Sequence, residues 1–438
     1  MEKTAGAKII QSLFDIKSIP KDAQKVLQDF DQIAQAAMPA NSKQLVALPK
    51  QIRELSHQMT DDRGSRRLGY MNEKTFLAAY VRYFVWWNLV RLTRLFANLD
   101  FSFLKDDDVC LDIGSGPLTL PCALWLARPD LRQKKLVWYA MDISQLALSV
   151  GEEIFLSVAA ATGGEPWKIV RVKGELGTPL KQKAAFVTCA NMFNEILQKQ
   201  SEPPDYLAKK YSQALFKYLD FGEQASPAIF LAEPGTPGCG RFVSLMRDSF
   251  IRRGLFVAAP CPHQGACPMD GRRSGRGGAT GKWCNFAFET DDAPKKLLAL
   301  SARAGIPKER AVLSFVFAQT AASPKSAAET AGKSKTCGSR IRVASDIIRV
   351  PAATPDQKSR VGHYACSEQG LVLALSSGGR RVYSGDLLEA PRSPSRENVS
   401  CNEIQSKPRS GRRNFGQERA SGSRPARDAK TGAIIVEI

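Results

Sequence analysis

The sequence lacks any apolar run long enough to cross a membrane. A membrane-spanning helix needs about 18–20 consecutive apolar residues, and the nearest stretch, residues 78–96, is interrupted by four polar side chains: Arg82, Asn88, Arg91 and Arg94. The first residues contain neither the apolar segment nor the cleavage pattern of a signal peptide, and the acidic residues Asp15 and Asp22 argue against a transit peptide. We therefore expect a soluble, cytoplasmic protein with no membrane partner.

Acidic residues are scarce relative to basic ones. The 438 residues include 62 Lys and Arg but only 43 Asp and Glu, which gives a formal net charge of +19 at pH 7. A basic chain favours a polyanionic partner, and nucleic acid is the first candidate. Hydrophobic residues make up 43% of the chain, which is enough for a buried core and excludes a wholly disordered protein. The length predicts two or three folding units.

The sequence also lacks the pattern of a disulfide-bonded scaffold. Its ten cysteines are spread over the whole chain, and a reducing cytosol would keep them as thiols. Three of them lie in apolar runs, where a small buried thiol is expected: Cys110, Cys122 and Cys189. Three others lie in loop-like sequence among proline, glycine and arginine: Cys261, Cys267 and Cys284. The loop cysteines favour a metal site.

Four regions are predicted along the chain. Residues 1–105 are expected to be helical, because apolar residues such as Ile9, Leu13 and Ile16 recur at helical spacing. Residues 106–258 alternate strand-like and helix-like segments, which predicts an α/β fold with a doubly wound, mostly parallel sheet. Residues 259–388 contain the cysteine-bearing loop and further strands. Residues 389–438 are rich in Arg, Ser, Pro and Gly, and we expect a disordered basic tail.

A glycine turn closes the first strand of the α/β region at Asp112-Ile113-Gly114-Ser115-Gly116. The dinucleotide fingerprint G-x-G-x-x-G fails here because Thr119 occupies the sixth position. An acid directly before the glycines is instead the pattern of S-adenosylmethionine-dependent methyltransferases, in which the acid and the turn hold the amino-acid part of the cofactor. Leu118, which replaces a third glycine, is expected to narrow the pocket.

Two further signals follow the next strands. Asp142 ends the second strand, where a carboxylate can accept hydrogen bonds from ribose hydroxyls, and Asn191 to Glu195 follow the fourth. Ligands of such sheets bind outside the carboxyl ends of the strands. The predicted cofactor-binding residues are therefore Asp112, Gly114, Ser115, Gly116, Asp142, Asn191, Asn194 and Glu195. No motif identifies a catalytic base or nucleophile, so the catalytic residues are unknown.

A closed metal site needs a fourth ligand besides the three loop thiols. Cys366 and Cys337 are the candidates, and we prefer Cys366 because it ends a strand-like run. Four thiolates suit either Zn²⁺ or a [4Fe–4S] cluster. His263 is either a neighbour of the site or an alternative ligand. The glycine-rich segment between Cys267 and Cys284 carries three candidates for phosphate contacts with RNA: Arg272, Arg273 and Arg276.

Six segments together resemble the methyltransferase-like small-ribosomal-subunit family, which has mitochondrial and bacterial members. They are Leu111 to Pro117, Asn194-Glu195, Ala232 to Pro237, Ala259 to His263, Cys267-Pro268 and Trp283 to Phe286. The resemblance spans roughly residues 70–375 and implies a class I S-adenosylmethionine-dependent methyltransferase-like fold. It also implies association with the small ribosomal subunit and its rRNA, a role in subunit assembly, and a [4Fe–4S] cluster on Cys261, Cys267, Cys284 and Cys366.

Three functions follow from these signals. The first is an S-adenosylmethionine-dependent enzyme, expected to be a monomer, that methylates ribosomal RNA and supports translation. The second is a catalytically inactive assembly factor that docks on small-subunit RNA and carries an iron–sulfur or zinc centre. The third is a metal-dependent nucleic-acid-binding module unrelated to ribosomes. The intact glycine turn favours the first function, and the missing catalytic motif favours the second.

Overall fold

The computed structural model describes residues 7–60, 70–272, 281–320, 339–350, 360–376, 381–390 and 426–438. The N-terminal part contains one strand and five helices: β1 (Lys8–Ser12), α1 (Lys21–Gln28), α2 (Phe30–Ala37), α3 (Ser42–Thr60), α4 (Lys74–Ala79) and α5 (Trp86–Phe96). A π-helical segment, Tyr80–Val85, joins α4 to α5. Residues 74–96 are therefore helical, as predicted for this region, with a widened turn in the middle.

The main sheet has eight strands: β2 (Val109–Ile113), β3 (Val137–Asp142), β4 (Lys168–Lys173), β5 (Phe186–Ala190), β6 (Ala228–Pro234), β7 (Phe256–Ala259), β8 (Phe286–Glu289) and β9 (Arg310–Gln319). Their order is β4-β3-β2-β5-β6-β9-β7, and β8 also pairs with β9. Strands β2 to β6 are parallel, whereas β9 runs antiparallel to its neighbours. The predicted doubly wound α/β sheet is confirmed.

Six helices accompany this sheet: α6 (Thr119–Ala127), α7 (Gln145–Thr162), α8 (Phe193–Ile196), α9 (Pro204–Phe216), α10 (Pro237–Arg252) and α11 (Lys295–Arg303). Strand β2 is buried on both faces, as its apolar residues on either side of Asp112 predict for a central parallel strand. Helix α7 begins at Gln145 because the Ser144 hydroxyl accepts a hydrogen bond from Ala147 N at 3.1 Å.

The sheet does not end at residue 258, where we expected its domain boundary. Strands β8 and β9 lie beyond that point and belong to the same sheet. Strand β9 is almost wholly buried and pairs with β6 along its length, from Leu313 opposite Pro234 to Gln319 opposite Ala228. The sheet region therefore extends to Gln319.

A second, six-stranded sheet is built from both ends of the described chain. Its remaining strands are β10 (Ser339–Val350), β11 (Arg360–Ser367), β12 (Gly370–Leu375), β13 (Asp386–Ala390) and β14 (Ile434–Glu437). Their order is β1-β13-β10-β11-β12-β14. Residues 8–12 form a strand rather than the helix that we predicted, because they pair with β13. The end of the basic tail also forms a strand, since β14 pairs with β12; residues 391–425 lie outside the described part.

One apolar core unites the N-terminal helices with one face of the main sheet. It includes Phe30, Trp87, Trp125 and Trp138, each with 2% or less of its surface exposed. The N-terminal region is therefore packed onto one face of the main sheet. No helix among the described residues is long and apolar enough to cross a membrane.

Candidate functional site

A solvent-open cleft lies at the carboxyl ends of β2, β3 and β5; the space between its walls is about 1080 Å³, and this figure includes open solvent. This is the edge at which doubly wound sheets bind their ligands. Seven of the eight predicted cofactor-binding residues line it: Asp112, Gly114, Ser115, Gly116, Asp142, Asn191 and Glu195. The residues predicted from the sequence to bind the cofactor therefore lie, with one exception, in the wall of one cleft.

The glycine turn has the backbone conformation that its glycines predict. Gly114 and Gly116 have φ angles of +68° and +50°, in the left-handed region that favours glycine. The amides of Gly114 and Ser115 donate to the Met141 carbonyl at 2.9 and 3.0 Å. A Cβ atom on Gly114 would lie 2.8 Å from the Met192 side chain. The turn therefore depends on glycine for both conformation and space.

Asp142 holds the turn from the neighbouring strand. Its Oδ2 accepts a hydrogen bond from Gly116 N at 2.9 Å, and its Oδ1 accepts one from Ser144 N at 2.8 Å. Burial raises the pKa of Asp142, while these backbone hydrogen bonds act in the opposite direction. Because each carboxylate oxygen has a second lone pair, binding of ribose hydroxyls stays compatible with this arrangement.

Asp112 is a second buried carboxyl beside the turn. Its Oδ1 accepts a hydrogen bond from the Thr188 hydroxyl at 2.7 Å. Burial raises the pKa of Asp112 to about 7, although the nearby Ser115 and Thr188 hydroxyls lower it. Ser115 is only 5% exposed, and its hydroxyl has no hydrogen-bond partner of good geometry within the described chain. A buried unpaired hydroxyl at the edge of a cleft fits a polar ligand.

Leu118 does not narrow the pocket as we expected. It has a left-handed backbone, with φ +53°, but its side chain is fully buried and is not part of the cleft wall. The side chain packs against α7 at Gly151, where an added Cβ would lie 2.6 Å from Leu118 Cδ1 and 2.5 Å from the Pro117 carbonyl carbon. Gly151 therefore provides the space that lets Leu118 point away from the cleft.

Glu233, at the end of β6, organises the segment that follows β5. Its two carboxyl oxygens accept hydrogen bonds from Phe193 N at 2.8 Å and Asn194 N at 2.9 Å. It is 1% exposed, and burial raises its pKa to about 8. Asn194, which we predicted in the cofactor site, is not part of the cleft wall; its Oδ1 accepts from the Cys239 thiol at 3.7 Å.

The predicted metal ligands lie in one neighbourhood. Burial raises the pKa of Cys284 well above its usual value, and the thiols of Cys366, Cys267 and Cys261 raise it further. Two buried arginines accompany them: Arg247 Nε donates to Cys261 Sγ at 3.0 Å, and Arg342 Nε donates to Pro260 O at 2.8 Å. Burial lowers the pKa of Arg342 to about 10 against the opposing effect of the thiols.

Proximity does not amount to a metal site here. Among the described residues, no group of three or more His, Cys, Asp or Glu side chains is arranged to hold a metal ion. The iron–sulfur or zinc centre expected from the sequence therefore lacks support among the described residues. His263 is buried, and both ring nitrogens lack partners in the part of the chain that is described. Cys337 lies outside the described residues.

The strand order of the main sheet, with an antiparallel β9 between β6 and β7, is that of class I methyltransferase-like folds. The family described as mitochondrial small ribosomal subunit Rsm22 matches residues 91–370, which is more than half of the chain. The chain belongs to the Rsm22 family. The description of the family names mitochondria, so the expected cytoplasmic location finds no support there and stays a prediction.

Solved structures resemble this Rsm22-family chain only distantly. Magnesium protoporphyrin IX methyltransferase from Synechocystis PCC 6803, with bound SAM, is 12% identical, with 62% of this chain and 97% of that chain covered and a TM-score of 0.29. A SAM-dependent methyltransferase from Geobacter sulfurreducens, in complex with S-adenosyl-L-homocysteine, is 14% identical, with 54% and 90% covered and a TM-score of 0.29. A TM-score of 0.29 does not indicate a shared function. No curated protein matches the sequence.

The N-terminal helices of the Rsm22-family chain supply a wall of the cleft that the sequence did not predict. Met71, Tyr80, Asn88 and Leu92 line it. Tyr80 begins the π-helical segment, and such widened turns are frequent at functional sites. Only the tertiary structure shows which residues of this aromatic and apolar region face the cleft.

The predicted RNA-contacting arginines are only partly described in this Rsm22-family chain. Arg272 N donates to Asp270 Oδ1 at 3.0 Å, and its guanidinium also hydrogen-bonds the Asp270 carboxylate. The carboxylate therefore offsets much of the charge of Arg272. Arg273 and Arg276 lie outside the described residues.

Proposed function

We propose that this protein binds S-adenosylmethionine in the cleft and methylates RNA of the small ribosomal subunit. The observation that carries the proposal is the glycine turn fixed by Asp142 at the mouth of a cleft of about 1080 Å³. The family description supports the small ribosomal subunit as the partner. The net charge of +19 supports contact with RNA.

Residues of this chain fit the two ends of such a cofactor. The turn at Gly114 to Gly116, with Asp112 and the unpaired Ser115 hydroxyl, offers polar groups to the amino-acid part. Asp142 faces the cleft where the ribose hydroxyls would bind, and Ile143, which is 41% exposed, adds apolar surface beside it. Asn191 and Glu195 line the side at which a substrate base would enter.

When bound, the cofactor would supply an electrophilic methyl group on a sulfonium ion. The contribution of this chain would be to hold donor and acceptor in line and to exclude water, which accelerates a reaction without a dedicated base. The described part of the cleft contains no histidine, lysine or cysteine. We therefore assign no catalytic residue.

Replacement of Asp142 by alanine is expected to weaken binding of S-adenosylhomocysteine about 10- to 100-fold, because the hydrogen bond from Gly116 N that fixes the turn and the one from Ser144 N at the start of α7 are both lost. Isothermal titration calorimetry of the full chain measures this. Asp130→Ala is the matched control, since Asp130 pairs with Arg128 at the surface. Absence of binding to the unchanged protein would contradict the proposal.

Transfer of labelled methyl groups from S-adenosylmethionine to isolated small ribosomal subunits tests the second half of the proposal. Label should appear in the RNA, and its yield should fall with Asp142→Ala. Cofactor binding with no transfer to RNA would leave an S-adenosylmethionine-binding assembly factor, the alternative that the sequence also favours. Association with the subunit should weaken steeply as salt rises, because phosphate contacts release counterions.

A thiol-bound metal centre on Cys261, Cys267, Cys284 and Cys366 is a separate proposal. Its support is the mutual influence of the four thiols on their pKa values and the two buried arginines, which suit an anionic centre. Thiolates around one zinc ion lie about 3.8 Å apart, given Zn–S bonds of about 2.3 Å; a four-iron cube spaces them more widely. Anaerobically purified protein should show a broad visible absorbance band and bound iron, both reduced in Cys366→Ser. Colourless, metal-free protein would contradict this proposal.

A further inference from the structure

Asn88 presents a hydrogen-bond donor to the cleft. It lies on α5 in the N-terminal wall and is 7% exposed. Its Oδ1 accepts a hydrogen bond from the Arg91 guanidinium. Because a guanidinium can only donate, this contact fixes which end of the amide is oxygen and leaves the NH₂ group at the other end. Within the described residues, that NH₂ group has no hydrogen-bond partner.

Arg91 brings positive charge to the same wall. Its Nη1 donates to the Val312 carbonyl at 2.8 Å, so it joins α5 to β9. No carboxylate forms an ion pair with Arg91 in the part of the chain that is described. Burial lowers the pKa of Arg91 to about 10, and the neighbouring Tyr80 acts in the opposite direction. A partly buried cation without a counter-ion favours an anion nearby.

The opposite wall has the opposite electrostatic character. Asp112 and Asp142 are buried there, 2% and 5% exposed, and Asp142 raises the pKa of Asp112. Their effect disfavours an anion beside the glycine turn and favours a cation. The cleft is therefore polarised, with carboxyl groups on the sheet side and a donor backed by a guanidinium on the helical side.

An α-amino acid has matching polarity, because its ammonium and carboxylate groups are separated by one carbon. We propose that Asn88 binds the carboxylate of the methionyl part of the cofactor, and that Arg91 positions Asn88 and supplies the favourable charge. This inference rests on the proposed function and adds selectivity to it. The cleft would select nucleosides that carry an amino-acid carboxylate over those that lack one.

Binding of two ligands to the full chain tests this selectivity. S-adenosylhomocysteine carries the carboxylate, and 5′-methylthioadenosine lacks the amino-acid part. Asn88→Asp replaces the donor with a negative charge but keeps an acceptor for Arg91, so the local structure should persist. Affinity for S-adenosylhomocysteine should fall at least about tenfold, as for other lost or repelled charge contacts, while affinity for 5′-methylthioadenosine stays within about twofold.

Asn41→Asp is the matched control. Asn41 lies at the start of α3 away from the cleft, where its Oδ1 accepts from Gln44 N at 3.0 Å, and aspartate serves equally well at such a position. This variant should bind both ligands as the unchanged protein does. Arg91→Met should reproduce the selective loss of S-adenosylhomocysteine binding, since it removes the charge while leaving the amide of Asn88.

Three other outcomes would contradict the carboxylate site, and one of them would also contradict the proposed function. Equal affinity of the unchanged protein for the two ligands would overturn the carboxylate site and leave the proposed function intact. Equal weakening of both ligands by Asn88→Asp would also overturn it, because the change would then act on the whole cleft. Failure of the unchanged protein to bind either ligand would overturn the proposed function and this inference with it.

Discussion

Replacement of Glu233 by alanine is expected to destabilise the protein by about 2–6 kcal/mol, because one buried and one partly buried backbone amide lose their acceptor and each costs about 1–3 kcal/mol. These amides belong to Phe193 and Asn194, at the start of α8. Urea unfolding measures the change. The amides of Phe193 and Asn194 should also exchange their hydrogens faster, because Glu233 holds them against β6.

Glu233→Gln is the control for this prediction, since glutamine keeps one acceptor and cannot titrate. Burial raises the pKa of Glu233 from 4.5 to about 8. The folded protein therefore holds a proton that the unfolded chain releases, so this contribution to stability is complete below about pH 4.5 and is lost as pH rises through 8. Between pH 5.5 and 8.5, the unchanged protein should lose stability more steeply than Glu233→Gln. Parallel pH profiles would contradict this explanation.

Replacement of Arg342 by leucine should destabilise the protein by about 3 kcal/mol or more, because two buried carbonyls and the more exposed Gln11 side chain lose their donor. The guanidinium donates to Pro260 O at 2.8 Å, to Gly385 O at 2.7 Å and to Gln11 Oε1 at 2.7 Å. It therefore joins β1, the start of β13 and the loop after β7. Urea unfolding measures the loss, and hydrogen exchange should show β1 released first.

Arg349→Leu is the matched control, because Arg349 lies on the same strand with an exposed side chain. It should change the free energy of unfolding by no more than about 0.5 kcal/mol, as expected for an exposed position. A loss of similar size in the two variants would mean that the hydrogen bonds of Arg342 do not hold the second sheet together.

The main sheet could be predicted because its signals are local. The run Val109 to Ile113 is mostly apolar, ends at glycine and is followed by a helix, and the mostly apolar run Val137 to Asp142 is also followed by a helix. Seven of the eight predicted cofactor residues follow from the same logic, since parallel strands bring their carboxyl ends to one edge. Asn194 lies outside the cleft wall because α8 directs its side chain towards Cys239. The adjacent sequence does not reveal this contact.

The second sheet could not be predicted in the same way because its pairings are distant in sequence. Ile9 pairs with Leu388, so residues spaced as in a helix form a strand. Ile434 pairs with Val372, and the short apolar run Ile434-Ile435-Val436 was its only signal within a polar tail. The helical wall of the cleft and the roles of Glu233 and Arg342 likewise depend on tertiary contacts. Burial of a charged residue leaves no mark in its immediate sequence.

The pairing of β9 with β7 and β8 affects how easily the segment between these two strands can change in length. Ala259 pairs with Phe317, and Phe286 pairs with Leu313. The segment between Ala259 and Phe286, which carries Cys261, Cys267 and Cys284, therefore begins and ends against β9 at positions four residues apart. That separation is about 13 Å. Because β9 fixes both ends of this segment, lengthening the segment adds little to the entropic cost of closing it as a loop. Insertions into this segment can therefore leave the pairing of β9, and with it the main sheet that carries the cleft, unchanged.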